Sequence, residues 1–332
     1  MRRGDQTVLR RIGPQTLGSQ RLLDVIFVHG LSGDGTATWT PEGVTESWLD
    51  WLAEDNPSIA VWSLSYPAGS TKWTTDGEGM ALPDRAANLI PTMLYYGIGS
   101  RATVFVCHSL GGLVVKQILR HSSEMGMSDW SSIARSTLGV AFLATPHAGS
   151  SLASFVRIVT VSRPTRTTLA LTAHCPHLKE LADWYRQNAT RLGIETAAYA
   201  ESRKIRRGIR LVTVVTTTSA NPGIQGCVTT SVDADHLDIC KPTSRETDTY
   251  RGIEMFIRRQ LARVTPPNGA VGPASTLVGF DADQPDPATP PADLVRQIRE
   301  LQALGDMKLL DSFEVTTLKM GILNRHYGVG HE

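Results

Sequence analysis

The stretch VFVCHSLGG, residues 104–112, decides how this chain is interpreted. An apolar, β-branched run leads to Ser109, and glycines follow at 111 and 112, a pattern typical of a buried strand that turns sharply into a helix. Such a turn lifts a serine hydroxyl above a sheet, where it can act as a nucleophile. The alternative is a serine that only caps the helix. The strand and helix on either side favour the nucleophile.

The stretch departs from the expected G-x-S-x-G pattern at one position, because its first glycine is replaced by Cys107. The turn crowds the residues two before and two after the serine. Gly111 meets this demand on one side, and Gly112 gives the helix further room. Cysteine is larger than glycine but is still small and at home in a core. We therefore expect the turn to tolerate Cys107.

Composition limits the classes of protein that fit. The 332 residues are 41% apolar, which predicts a globular protein with a sizeable core. The net charge of +1 gives no global electrostatic case for binding nucleic acid. The four cysteines form no C-x-x-C pair, so neither a zinc site nor a disulfide framework is predicted. We expect no metal and no cofactor.

The sequence also predicts a location. Residues 1–20 are basic but contain no apolar segment typical of a secretory signal. No apolar run approaches the roughly 20 residues that span a bilayer. We therefore expect a cytoplasmic protein without a transmembrane segment, and peripheral contact with a membrane stays open.

Apolar runs alternate with helix-like segments, which predicts an α/β fold with a mostly parallel central sheet. The helix at 111–122 is apolar nearly all round and should be buried. The helix at 82–97 contains Pro91, which is expected to disturb it. Strands are predicted at 22–30, 59–66, 101–107, 136–146, 193–201 and 208–220, and a last helix at 246–264.

These elements predict three parts of the chain. The α/β domain covers 20–264 and includes a long connection at 148–192, which is either a lid or a plain crossover helix. A proline-rich linker follows at 265–292, and a small helical module at 293–332. The apolar face of this module needs a cover, which is the module's own neighbouring segments, the α/β domain or a partner protein.

Two backbone N–H groups are candidates for an oxyanion hole. HGLSG, residues 29–33, follows the first buried strand, where the second donor for a tetrahedral oxyanion is expected. We expect the N–H of Leu31 to act with that of Leu110, the residue after Ser109.

A base and an acid are also needed. His236 follows the predicted sixth strand and precedes the last helix, which favours it as the base over a surface-loop histidine. Glu201 ends the strand 193–201 and is the candidate acid. The residues Asp233, Asp235 and Asp238 are nearer to His236 in sequence, but neighbours in an extended loop rarely orient into such a bond.

Several motifs together carry a family resemblance: VIFVHGLSGDGTATW, VWSLSYP, VFVCHSLGGLVVKQIL, VAFLATPHAGS and VDADHLDICKP. Over about residues 22–262 the chain resembles the serine-active-site-containing, lipase-like group of α/β-hydrolases, relatives of the inositol deacylases that act on lipid anchors. The resemblance implies an α/β-hydrolase fold and esterase or lipase chemistry. It maps the nucleophile onto Ser109 and the triad histidine onto His236.

Two further positions match family motifs. The family's Y-E after the penultimate strand is represented here by YAE, residues 199–201, which maps the acid onto Glu201 less cleanly. His147, in ATPHAGS, matches a motif that we interpret as structural, holding the loop after the strand.

The expected function is a serine hydrolase that cleaves a carboxylic ester, lipid-like in character, through a Ser-His-Glu triad and an acyl-enzyme. The same site would be an acyltransferase if another alcohol outcompeted water. The alternative class is a catalytically weak hydrolase-fold scaffold that recruits a partner through the helices of 293–332, since a fold alone does not exclude this.

Overall fold

The structure, a computed structural model, describes residues 7–13, 21–31, 33–68, 82–147, 176–207 and 210–265. Three predicted segments lie wholly or largely outside the described residues. These are the linker 265–292 beyond its first residue, the helical module 293–332, and residues 148–175 of the predicted connection 148–192.

A seven-stranded sheet organises the described chain, in the order β1-β3-β2-β4-β5-β6-β9. Every neighbouring pair is parallel except β1 and β3, which are antiparallel. This confirms the predicted mostly parallel sheet. The strands are β1 (Val8–Ile12), β2 (Leu23–Val28), β3 (Ile59–Ser65), β4 (Ala102–His108), β5 (Thr137–Leu143), β6 (Glu195–Glu201) and β9 (Thr229–Val232); β7 (Ile205–Arg207) and β8 (Arg210–Val212) form a separate hairpin.

Helices cover both faces of the sheet. Those that contribute to the core on one face are α2 (Leu82–Tyr95), α3 (Gly111–Glu124), α4 (Ser128–Ser136) and α5 (Pro176–Asn188). The other face carries α1 (Trp48–Asp55) and α7 (Asp248–Val264), and a short α6 (Thr217–Ala220) lies between β8 and β9. Among the described helices, none has the length and apolar character needed to cross a membrane.

The central strands are buried on both faces, which explains why their sequences are continuous apolar runs. In β4, Phe105 and Cys107 face the core under α2 and α3, whereas Val104 and Val106 face the core under α1 and α7. Successive side chains of a strand point to opposite faces, so a strand between two helical layers has no polar side.

The predicted strand at 208–220 is wrong, and the last strand of the sheet is β9 instead. The segment contains β8, which pairs only with β7, and then α6. Between them, the N–H groups of Val214 and Val215 donate to the carboxylate of Glu201. Backbone used in this way cannot join a sheet ladder, although the residues are β-branched.

Several elements were not predicted. Strand β1 lies before residue 20, the predicted start of the α/β domain, and pairs with β3. Helices α1 and α4 were also not predicted. Helix α2 continues through Pro91 as one helix of 14 residues. Helix α5 occupies part of the long connection and buries Leu181 and Tyr185 in the core.

Packing of α7 on β5 gives a test of the core. The ring of Phe256 lies so close to Gly139 that a Cβ there would be 2.7 Å from it. We expect Phe256→Ala to lower the free energy of unfolding by about 3–5 kcal/mol, because it leaves a cavity. The matched control is Met255→Ala, since Met255 is next to it on α7 but 59% exposed, and its effect should stay within about 0.5 kcal/mol. Urea unfolding followed by circular dichroism measures both, and equal losses would contradict the packing.

Candidate active site

Ser109 occupies a strained turn between β4 and α3. Its φ is +57°, in the left-handed region that residues with a side chain rarely adopt. The N–H of Ser109 donates to the carbonyl of Leu143 at 2.9 Å, and its own carbonyl accepts from Gly112 at 3.2 Å. The turn therefore joins the end of the neighbouring strand β5 to the start of α3.

Two glycines allow the elements around this turn to approach. A Cβ on Gly30 would lie 2.8 Å from the Cβ of Ser109, so the loop after β2 lies directly against the serine. A Cβ on Gly111 would meet the carbonyl oxygens of Val28 and His29, the latter at 2.5 Å. Contacts shorter than about 3 Å are not found for real side chains. Both positions therefore require glycine.

Cys107 fits the position that a glycine fills in the usual pattern. It is fully buried in the core under α3, and it pairs in register with Val28 of β2 and Phe142 of β5. Burial raises the pKa of its thiol well above the ordinary value. The side chain therefore packs as a small apolar group and does not crowd Ser109.

The structure brings Ser109, His236 and Glu201 into one hydrogen-bonded row. Nε2 of His236 lies 3.2 Å from Oγ of Ser109, and Nδ1 lies 2.6 Å from Oε2 of Glu201. All three residues are buried. They come from the carboxyl ends of β4 and β6 and from the loop after β9, where ligand sites of parallel α/β sheets lie.

The neighbouring aspartates lie outside this row. Asp233 forms an ion pair with Arg203, and its side chain is 72% exposed. The side chain of Asp235 accepts from the N–H groups of Leu237 and Asp238, so it caps the local turn. Neither carboxylate is bonded to the imidazole of His236 in the described part of the chain.

Glu201 is fixed by backbone donors on its second oxygen. The N–H of Val214 donates to Oε1 at 2.5 Å and the N–H of Val215 at 3.0 Å. One carboxylate oxygen is therefore committed to the backbone, while the other faces His236. This arrangement leaves the carboxylate a single orientation.

The backbone of the His236 loop is held from two sides. Nε2–H of His108 donates to the carbonyl of His236 at 2.9 Å, and Nε1–H of Trp48 donates to the carbonyl of Cys240 at 2.9 Å. Burial lowers the pKa of His108 to about 3, so its ring is neutral. Sequence reasoning missed His108, although a histidine that ends an otherwise apolar strand was a signal.

A clamp around His29 fixes the loop that carries Leu31. The Tyr66 hydroxyl donates to the carbonyl of His29 at 2.6 Å, and the two rings stack with centroids 4.3 Å apart. The N–H of Tyr66 also donates to Nε2 of His29 at 3.3 Å. This leaves the proton on Nδ1, which donates to the carbonyl of Gly30 at 2.9 Å.

The two predicted oxyanion donors belong to residues that adjoin the serine, one in sequence and one through Gly30. Leu110 follows Ser109 directly, and Leu31 follows Gly30, whose backbone touches Ser109. Within the described residues, neither of these N–H groups donates a hydrogen bond. Unbonded N–H groups beside a serine hydroxyl can stabilise negative charge that develops on a reacting carbonyl.

The chain is similar in sequence to curated proteins named SERAC1. No protein family model matches the chain. Protein SERAC1 of Danio rerio is 30% identical over 260 residues, covering 72% of this chain and 39% of that protein. Protein SERAC1 of Homo sapiens is 29% identical over 271 residues, covering 75% and 41%. The chain thus spans about two fifths of the length of these relatives.

Solved structures identify the fold. The lipase BlEst2 of Bacillus licheniformis superimposes with a TM-score of 0.50 at 17% identity, covering 77% of this chain and 98% of that one. Phospholipase PlaB of Legionella pneumophila gives a TM-score of 0.50 at 13% identity, covering 73% and 62%. The chain has a lipase-like α/β-hydrolase fold, which confirms the predicted fold class.

The buried His108 predicts a dependence of stability on pH. Its pKa falls from the ordinary 6.5 to about 3 in the folded protein. Below pH 6.5 the imidazole of His108 therefore takes up a proton in the unfolded chain but stays neutral in the folded protein. The free energy of unfolding therefore decreases as the pH falls from 6.5 towards 3. At pH 5 this loss is about 2 kcal/mol.

His108→Gln removes the titrating group and keeps an N–H donor for the carbonyl of His236. We expect the wild type to lose about 2 kcal/mol more than this variant between pH 7.5 and pH 5. Urea unfolding at both pH values measures the difference. If the free energy of unfolding falls equally in the two proteins, folding does not lower the pKa of His108 and the prediction is wrong.

Proposed function

We propose that the chain is a serine hydrolase that cleaves a carboxylic ester through an acyl-enzyme. The observation that carries the proposal is the buried row in which His236 lies 3.2 Å from Ser109 Oγ and 2.6 Å from Glu201 Oε2. A serine hydroxyl is a poor nucleophile unless a base takes its proton. The row supplies this base, and the base has its own carboxylate partner.

In the proposed first step, Ser109 Oγ attacks the ester carbonyl while its proton moves to Nε2 of His236. The imidazolium that forms keeps its Nδ1–H on Glu201 Oε2, and this hydrogen bond stabilises the new positive charge. Glu201 does not need to move, because the N–H groups of Val214 and Val215 already hold its other oxygen.

The negative charge of the tetrahedral intermediate needs donors that are in place beforehand. We assign this role to the N–H groups of Leu31 and Leu110. Support comes from the His29 clamp, which fixes the loop of Leu31, and from α3, whose amino-terminal end lies directly after Leu110.

In the second half of the reaction, His236 passes its proton to the leaving alcohol. A water molecule then attacks the acyl-enzyme while the same imidazole takes its proton. The imidazolium passes this proton to Ser109 Oγ as the bond between Oγ and the acyl carbon breaks, which releases the acid and restores the serine. All these steps use side chains and backbone groups of this chain together with water.

We further propose that the ester is lipid-like. Two proteins of the same fold are named a lipase and a phospholipase, and we carry that substrate class to this chain as a hypothesis. One local feature agrees with it. Leu237, the residue after His236, leaves 55% of its surface exposed, so an apolar side chain reaches the surface at the neighbouring position of the chain.

The nucleophile is tested by covalent labelling with a fluorophosphonate. We expect wild-type protein to be labelled on Ser109, and Ser109→Ala to be unlabelled. Hydrolysis of p-nitrophenyl butyrate should fall by roughly 10⁴-fold in kcat in Ser109→Ala and in His236→Ala, with little further loss in the double variant, since the two act as a unit. Full activity of Ser109→Ala would refute the mechanism, and an unlabelled wild type would favour a scaffold without catalysis.

The acid is tested by a matched pair of substitutions. Glu201→Gln removes the charge beside His236 and should lower kcat at least about 10²-fold, because removing the orienting carboxylate usually costs less than removing the nucleophile. Asp233→Asn changes an exposed carboxylate three residues before the same histidine and should stay near the wild type. A crippled Asp233→Asn with an active Glu201→Gln would reassign the acid.

A further inference from the structure

Helix α3 carries a fully buried lysine below the nucleophile turn. Lys116 has no exposed surface, and its Nζ lies 2.7 Å from Nδ1 of His147. The rings of Tyr185 and Phe142 lie 4.9 and 5.4 Å from the Lys116 nitrogen. A lysine and a histidine are thus bonded to each other inside an apolar core.

This pair is a poor contributor to stability. Removing a lysine and a histidine from water has a large cost, which one hydrogen bond between them does not recover. The second ring nitrogen of His147 is buried and has no hydrogen-bond partner in the described part of the chain. Well-packed apolar side chains in place of both residues would fill this space with little or no loss of stability. The presence of the pair therefore calls for a reason other than stability.

The position of Lys116 on α3 points to that reason. Ser109, Gly112 and Lys116 are spaced so that they lie along one side of the turn and helix. A Cβ on Gly112 would lie 2.5 Å from the side chain of Thr145, and Lys116 contacts His147 two residues later. The loop 144–147 after β5 therefore runs along the first turns of the nucleophile helix.

The same loop reaches the elements that hold Glu201. At one end, the N–H of Ala144 donates to the carbonyl of Tyr199 at 2.8 Å, two residues before Glu201. At the other end, the N–H of His147 donates to the carbonyl of Ser219 at 2.7 Å. Ser219 lies in α6, which follows the two N–H donors of the Glu201 carboxylate directly in the chain.

We propose that Lys116 and His147 form a positioning pair that fixes the nucleophile helix relative to the segment holding the catalytic acid. This inference rests on the proposed function and adds to it two residues that touch neither substrate nor reacting atoms. The pair holds loop 144–147 between α3 and α6, so the distances from Ser109 to His236 and from His236 to Glu201 stay fixed together. Small displacements of reacting groups have large effects on rate.

The test compares Lys116→Met with Gln117→Met in the full chain. Gln117 is next to Lys116 on α3, is equally buried, and has a side-chain oxygen without a hydrogen-bond partner among the described residues. Both changes therefore replace a buried polar side chain by the same apolar one. The readouts are the rate of fluorophosphonate labelling, kcat and KM for p-nitrophenyl butyrate, and the melting temperature.

We expect Lys116→Met to be labelled at least about tenfold more slowly than the wild type, with a lower kcat and an unchanged KM. Its melting temperature should fall, because both ring nitrogens of the buried His147 are then without a side-chain partner, whereas the double variant Lys116→Met/His147→Leu should melt near the wild type. Gln117→Met should keep the wild-type labelling rate. A purely structural role would also lower the melting temperature but would leave the labelling rate of the folded protein unchanged.

A second pair of variants keeps the test independent of one substitution. His147→Asn retains an acceptor for Lys116 and should keep most of the wild-type labelling rate. His147→Leu has no acceptor and should be labelled as slowly as Lys116→Met. The double variant Lys116→Met/His147→Leu should be no slower than either single variant, since residues that act through one contact are not additive.

The outcomes separate this inference from the proposed function. If wild-type protein is not labelled on Ser109, the proposed function fails and the inference falls with it. If the wild type is labelled and Lys116→Met is labelled equally fast, only the inference fails. A double variant Lys116→Met/His147→Leu that melts well below the wild type, yet is labelled at the wild-type rate while it is folded, would assign the pair to folding and would also overturn the inference.

Discussion

The left-handed backbone of Ser109 is the constraint on which the arrangement of the site depends. A residue with a side chain held at φ +57° costs about 1–3 kcal/mol and persists only where its surroundings leave no alternative. Here the surroundings are the carbonyl of Leu143, which accepts the serine N–H, and two glycines that let neighbouring backbone come into contact. The central position of β4 in the sheet supplies neighbours on both sides of this turn.

Two of the side chains around Ser109 are oriented by backbone groups. Glu201 accepts from two consecutive N–H groups, and the imidazole of His29 is bonded to backbone on both of its nitrogens. Backbone partners are set by the fold and cannot rotate away as side chains do. The orientations of these side chains are therefore determined by the backbone of the loops that follow the strands.

The sequence predicted a strand correctly where a single requirement, burial on both faces of the sheet, determined its residues. Strands β2 and β4 are recognisable because burial on both faces excludes polar residues from them. Strand β9, TTSV, is short, polar and largely exposed, so it lacks the continuous apolar run by which β2 and β4 are recognised. The run around Val214 looked like a strand because side-chain patterns do not reveal that its N–H groups are committed to a carboxylate.

The residues Ser109, His236 and Glu201 were predicted from their order in the chain, and the structure brings them together. Lys116 was not predicted, because it lies within a helix that was expected to be buried all round.

The bond between Trp48 and Cys240 joins residues 192 positions apart, and the Tyr250 hydroxyl in α7 donates to Asp55 at the end of α1. Contacts between such distant parts of a chain require the closure of long loops and form late in folding. During synthesis on the ribosome, the serine turn and its helix emerge more than a hundred residues before the loop of His236. A nascent chain therefore holds the Ser109 hydroxyl without its imidazole partner, and the hydrogen-bonded row forms only after the sheet has been completed by its last strand.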